Sequence, residues 1–269
     1  MDIDAYFSRI GYSGPRTATL DVLHELHALH PAAIPFEAFD VLLDRTIDLK
    51  PAAIDDKLIA RKRGGYCFEQ NSLFKRVLVA LGFKVDGLIG RVRWMQADDA
   101  PLRARTHMTL RVAVGDQLWL ADVGFGGLVL PAPLRIDTTA VQSTAHESFR
   151  LSPLPHGFRL EAQIGDVWEK VYDQSAEPLI DADYEQANWF SSKFPTSHFR
   201  HDLMVARTTP QMRYSLLNNR LSLRSADGQF ERRTLNAIEL EQALADLFKL
   251  PIENEWRPLL QRIAEREPV

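Results

Sequence analysis

Cysteine is almost absent: 269 residues contain one, Cys67. That excludes an intramolecular disulfide framework and any multi-cysteine zinc site, and no metal is expected. No apolar run is long enough to span a bilayer. Met1 to Ile10 lacks both a basic stretch ahead of an apolar run and a small-residue cleavage site, so a cytoplasmic chain is expected. Neither sign of charge dominates: 32 Lys and Arg stand against 36 Asp and Glu, the net charge is −4 and the pI about 6.1. Such a balance argues against nucleic acid or an anionic membrane as main partner. Internal repeats and low-complexity segments are also missing. What is present is 45% hydrophobic content over a length that can bury a core and form two or three modest domains.

The lone cysteine stands in Arg63-Gly64-Gly65-Tyr66-Cys67-Phe68-Glu69-Gln70-Asn71. Phe74, Val77, Leu78 and Leu81 recur behind it at helical spacing, and Gly82 is placed as a C-terminal cap. Gly64-Gly65 permits a sharp turn or a close backbone approach. A cysteine at a helix start feels the positive end of the dipole, which favours thiolate. The alternative is an inert core thiol, the commoner fate of a lone cysteine.

Elsewhere in the first ninety residues the pattern is helical. Residues 16–30 read as a helix with Leu20, Leu23 and Leu26 on one face and Pro31 just beyond its end. His24, His27 and His30 drift around that helix, which reads as a solvated polar face rather than a metal site. Residues 55–62 read as a small helix. From Phe83 short apolar or alternating runs follow: Phe83–Trp94, Thr106–Val114, Gln117–Val123, Ser148–Leu154, Phe158–Ile164 and Val167–Tyr172. Their spacing indicates an antiparallel barrel or sandwich. Asn188–Phe199 reads as an aromatic, hydroxyl-rich link. Strands near 203–207, 213–217 and 221–233 and helices over 237–249 and 254–266 complete the chain.

Two apolar runs flanking Gly115-Asp116 form a strong hairpin signal. Pairing Val114 with Gln117 sets His107 opposite Gly124 and Asp122 opposite Thr109. His107 and Asp122 then share a face as diagonal neighbours roughly 7–8 Å apart, a gap their side chains can bridge. A histidine with such a carboxylate, plus a cysteine at a helix start, supplies the parts of nucleophilic acyl transfer: nucleophile, base and orienter. The opposing reading makes Asp122 a strand terminator and His107 a satisfied edge histidine. The glycines of Gly124-Phe125-Gly126-Gly127 either bend the chain or admit a ligand to backbone N–H groups. Phe36, Tyr66, Trp94, Phe125 and Phe199 are pocket candidates that would also suit a core.

The cysteine stretch, with Ile34-Pro35-Phe36-Glu37 upstream and Thr106-His107 and Asp122-Val123-Gly124-Phe125-Gly126 downstream, resembles the arylamine N-acetyltransferases, in their bacterial form, along the whole chain. The resemblance implies an α+β fold with a cysteine-protease-like Cys-His-Asp triad. Its parts would be an N-terminal helical bundle (1–85), a central antiparallel β-barrel (86–187) and a link with a C-terminal α/β lid (188–269). It implies Cys67 as nucleophile, His107 as base and Asp122 as orienter. Phe36, Val92, Trp94, Thr106, Phe125 and Phe199 would bind substrate, and Thr109, Gly124 and Gly126 would contact the cofactor, acetyl-CoA. Arg63 and Glu37 would pair beside the cysteine. The implied reaction is ping-pong acetyl transfer to arylamines, arylhydrazines or N-hydroxyarylamines, by a monomer or weak homo-oligomer. A cysteine hydrolase, an amide synthase or a silent binding module would share these residues.

Overall fold

In the computed structural model, which describes residues 1–267, helices and short strands divide much as the patterns predict. The chain opens with α1 (Ile3–Ile10) and α2 (Leu20–Ala33), then β1 (Phe36–Glu37), α3 (Phe39–Leu42), α4 (Pro51–Asp55) and α5 (Cys67–Ala80). Thr19 caps α2, its hydroxyl accepting the Val22 N–H. The helix runs through Pro31 instead of stopping before it, because a proline in the last turn removes only one hydrogen bond. The predicted helix over 55–62 is α4 followed by a π turn at Asp56–Ala60. In α5 the expected face is buried, and Gly82 adopts φ +92, a conformation glycine takes without strain.

Eight strands follow: β2 (Lys84–Val92), β3 (His107–Val114), β4 (Gln117–Ala121), β5 (Leu134–Arg135), β6 (Gln142–Ser143), β7 (Ser148–Leu154), β8 (Gly157–Ile164) and β9 (Val167–Ser175). They form one sheet of order β5-β4-β3-β2-β9-β8-β7-β6, antiparallel at every pairing. The sheet curls into a nearly closed barrel. Gln142 of β6 bridges the gap, its side-chain amide giving to and taking from the main chain of Arg135 on β5. Leu120 and Leu134 from one end of the sheet pack with Phe149 and Leu160 from the other. The hairpin register is the predicted one, with Val114 opposite Gln117 and Leu110 opposite Ala121.

The rest is α6 (Asp181–Lys193), β10 (Met204–Thr208), β11 (Met212–Leu217), β12 (Arg220–Ser225), β13 (Phe230–Thr234), α7 (Ala237–Asp246) and α8 (Arg257–Ala264). A second sheet runs β1-β10-β11-β12-β13, so a strand from the helical region forms the edge of the lid. Leu216, Leu221, Leu240, Leu244, Phe248 and Trp256 fill the core under it. One expectation is corrected here. The first half of the supposed link at Asn188–Phe199 belongs to α6, and the boundary between 187 and 188 falls inside that helix. Its buried face is Tyr184, Ala187, Asn188, Ser191 and Ser192, too polar to register as a hydrophobic period.

Candidate active site

The two glycines before Cys67 are there for a close approach. A Cβ on Gly64 would lie 2.1 Å from the Pro35 carbonyl oxygen. Gly65 N–H donates to Pro35 O, and Glu37 N–H donates to Gly65 O. Glu69 reaches back one turn to accept the Tyr66 N–H at 3.0 Å, fixing the start of α5. Below the turn, Arg63 and Glu37 meet at 2.8 Å, as expected, but as members of a larger buried network. Arg63 also contacts Asp40 at 3.3 Å and Glu253 at 3.1 Å, and its guanidinium lies over the Trp256 ring. Lys57 joins Asp40 at 2.7 Å and Glu69 at 2.8 Å. Burial works to raise Asp40, yet the Lys57 and Arg63 charges overcome it and hold its carboxyl at about 2.

Cys67 opens α5 with its thiol 3.6 Å from the Thr106 carbonyl, and His107 follows at the start of β3. His107 Nε2 donates to Asp122 Oδ2 at 2.7 Å, leaving Nδ1 for the thiol. Burial works against the imidazolium, but the Asp122 charge and hydrogen bond, followed by those of Cys67, push His107 up to about 10. For Asp122 burial raises the pKa, and His107, the Gly124 N–H and Asn71 more than offset it, so the carboxyl sits below its ordinary value. Asp122 Oδ1 accepts from Gly124 N–H at 3.0 Å and from Asn71 Nδ2 at 3.1 Å. The Phe125 ring stands edge-on to His107 at 4.9 Å, and Tyr172 is tilted against it at 5.0 Å.

Cys67 and His107 open into a cavity of about 350 Å³ between barrel and lid. Phe36, Val92, Trp94, Thr106, Gly124, Phe125, Gly126 and Phe199 line the same cavity. The arrangement is a buried thiol, an imidazole aligned by a carboxylate, and an aromatic chamber reached by both.

A sequence model of the N-acetyltransferase family matches residues 19–257. The curated arylamine N-acetyltransferase of Mycolicibacterium smegmatis is 40% identical over 269 residues, spanning 98% of each chain. The chain belongs to the arylamine N-acetyltransferase family. The solved structure of the arylamine N-acetyltransferase from M. tuberculosis superposes with a TM-score of 0.93 at 38% identity, covering 98% of this chain and all of that one. The Mycobacterium marinum arylamine N-acetyltransferase, solved in complex with CoA, gives 0.92 at 37% identity and 98% coverage of both chains.

Two expectations about this acetyltransferase do not match the structure. Thr109 is fully buried and gives its hydroxyl to Gln174 Oε1 at 2.9 Å, away from the cavity, so it has no route to a cofactor. The α2 histidines are not a solvated face. His30 is buried, taking the Tyr6 hydroxyl proton at Nδ1 and donating to Gln70 Oε1 at 2.7 Å. His27 is buried with its Nε2 at 3.0 Å from the Asp122 backbone nitrogen. Tyr66 likewise lies in the core, its hydroxyl bonded to Asn188.

Sequence reasoning missed other residues. Asn71 clamps the hairpin end: its amide donates to Met108 O, and its carbonyl accepts the Val123 N–H. The lid presents Arg213, Ser215, Arg220, Ser222, Arg224, Phe230 and Arg232 to the cavity. Strand alternation was the available signal, since Arg220, Ser222 and Arg224 share one face and Ser222 pairs with Arg232. Arg213 and Arg224 are occupied by Glu147, at 2.6 and 3.1 Å, whereas Arg220 and Arg232 line the cavity apart from that carboxylate.

Proposed function

We propose that Cys67, His107 and Asp122 carry the family's reaction here, transferring an acetyl group from acetyl-CoA to the nitrogen of arylamines, arylhydrazines or N-hydroxyarylamines. The observation that carries the reading is the exposure of Cys67 and His107 to one aromatic chamber, with Asp122 excluded from solvent behind the imidazole. His107 takes the thiol proton, and the thiolate adds to the thioester carbonyl. Collapse forms acetyl-Cys67 and breaks the bond to the coenzyme sulfur, which leaves with the imidazolium proton as the free thiol. The amine lone pair then adds to acetyl-Cys67, His107 removes the amine proton, and the Cys67 sulfur departs. Asp122 holds the ring in one tautomer and stabilises the imidazolium that forms twice per cycle.

Phe36, Phe125 and Phe199 offer an aromatic acceptor flat apolar surface, and Val92, Trp94 and Thr106 complete its wall. Gly124 and Gly126 leave the approach to the thiol free of side chains. Arg220 and Arg232 suit the phosphates of the coenzyme. The three-part division into bundle, barrel and lid, a cytoplasmic location, and a monomeric or weakly associating state belong to the same reading. Sedimentation would test the last. Among the described residues no helix is long and apolar enough to cross a membrane.

Intact-protein mass spectrometry after brief exposure to acetyl-CoA is the direct test. One acetyl group should appear, be absent from Cys67→Ala, and disappear on addition of an aromatic hydrazine. Double-reciprocal plots at several acceptor concentrations should be parallel. Equal release of free coenzyme with and without amine would make the protein a hydrolase. Absence of any adduct would overturn acyl transfer altogether.

A further inference from the structure

We propose that His27 is a positioning residue for the acid of the triad: its uncharged ring, carried on α2, holds the main chain of Asp122 so that the carboxylate meets His107. Strand β4 ends at Ala121, so the Asp122 N–H lies beyond the ladder, in an interior where an unpaired amide is costly. His27 Nε2 is its acceptor, at 3.0 Å. A ring nitrogen accepts only when it carries no proton, so the proton of His27 sits on Nδ1.

Pro31 stands four residues on and has no N–H, so the His27 carbonyl has no helical partner. Nδ1 has no hydrogen-bond partner, and the carbonyl of its own residue favours the charged ring only as the smallest of the influences on it. The groups facing the ring are few. His24 and His30 act from its own helix, Asp122 from the end of β4, and α5 contributes only the Phe74 ring, at 5.8 Å. Burial outweighs the Asp122 charge, the two histidines add to it, and His27 is pushed down to about 3. The acceptor therefore stays neutral at every pH at which His107 is asked to work.

Asp122 is thus held from two sides. α2 takes its N–H, and α5 supplies Asn71 to Oδ1, which leaves Oδ2 for His107. Without the His27 acceptor the strand end is free to turn, and the carboxylate supports the imidazolium less well.

The inference rests on the triad reading above, and the two are tested separately. The rate of Cys67 alkylation by iodoacetamide against pH reads the triad in the native protein. If that profile is the one of a free thiol, the triad reading fails whatever His27 does. With it in place, His27→Leu should lower kcat roughly tenfold to a hundredfold, the scale of a small misplacement, with little change in the KM for acetyl-CoA. The acid limb of its alkylation profile should move to higher pH, a readout that a simple loss of folded protein does not shift. His27→Gln, whose amide oxygen can accept the same N–H, should recover most of both. In the native protein, nitrogen NMR of the histidines should find His27 neutral with its proton on Nδ1. An unchanged kcat and profile in folded His27→Leu would overturn the proposal. So would a folded His27→Gln as impaired as the leucine variant, or a native His27 protonated on Nε2.

Discussion

Gly124→Ala adds one methyl group where the barrel touches the nucleophile helix. A Cβ at this position lies 2.8 Å from Cys67 Cα, 2.8 Å from Asn71 Nδ2 and 3.2 Å from the Cys67 carbonyl oxygen. Packed carbon atoms settle at about 3.5–4.0 Å, so hairpin end and helix must part by roughly 0.7–1.2 Å. Two of the three obstacles are main-chain atoms, which cannot swing aside as the tip of a flexible side chain would. The third is the amide that holds Asp122. The displacement falls directly on the separation of Cys67 from His107.

A misplacement of about 1 Å at reacting groups costs on the order of a hundredfold in rate, and overpacking costs roughly 1–3 kcal/mol of stability. The expected variant is folded, melts somewhat lower, and acetylates Cys67 roughly a hundredfold more slowly in a single turnover followed by rapid quench and mass spectrometry. Gly126→Ala is the comparison. Its φ of +83 makes alanine strained, but the nearest atom, on Phe36, is 3.5 Å away. It should lose stability more than rate. If Gly124 existed only to admit the coenzyme, alanine would raise the KM for acetyl-CoA and leave kcat intact. A folded Gly124→Ala with an acetylation rate within about twofold of the native one would refute the reasoning, because the predicted displacement costs far more than that.

Stability should fall on both sides of neutrality. The folded His107 pKa of about 10 exceeds the unfolded value near 6.5, so its contribution is whole below about 6.5 and is lost as pH rises through about 10. His27 and His30, at about 3 and about 4, run the other way: their contribution is present above about 6.5 and lost as pH falls through those values. A melting temperature that is flat from acid to alkaline pH would contradict both signs. Arg63→Ala leaves the buried Glu37 without its cation, while Asp40 keeps Lys57, and should cost about 3–5 kcal/mol in urea denaturation; an unchanged midpoint would remove the network from the argument. Arg220→Ala and Arg232→Ala should each raise the KM for acetyl-CoA about fivefold and soften its salt dependence, leaving the KM for the amine alone. Equal effects on both substrates would place the coenzyme phosphates elsewhere.

The hairpin was legible because a two-residue turn fixes every pair beyond it, and that register brings His107 to Asp122 without tertiary information. The face of α5 was legible for a similar reason, since a period of 3.6 needs only local sequence. The histidines of α2 were misread because their environment is made by other elements, α1, α5 and the end of β4, the last two of them distant in sequence. His27 and Asp122 are 95 residues apart. The helix α6 was missed because it buries hydroxyls and an amide. Its buried polar groups are satisfied by Ile47 O, Leu88 O and its own carbonyls, which no hydrophobic pattern reveals. Thr109 shows the converse error: its place beside the triad in sequence is not its place in the fold.

The pairing of β1 with β10, Phe36 opposite Ala206, has a consequence for how the chain is made. Synthesis delivers the N-terminal helices and the barrel first, so Cys67, His107 and Asp122 are all available while β1 still lacks its neighbour. Phe36 then forms part of an open edge, the kind of surface on which nascent chains misassociate. Glu253 and Trp256, which cover Arg63 beneath the nucleophile turn, arrive later still. The long separation between these partners makes closure of the lid sheet a late and slow event in folding. A ribosome-stalled chain ending before residue 204 should therefore have its triad residues in hand yet remain prone to aggregate until the last strands emerge.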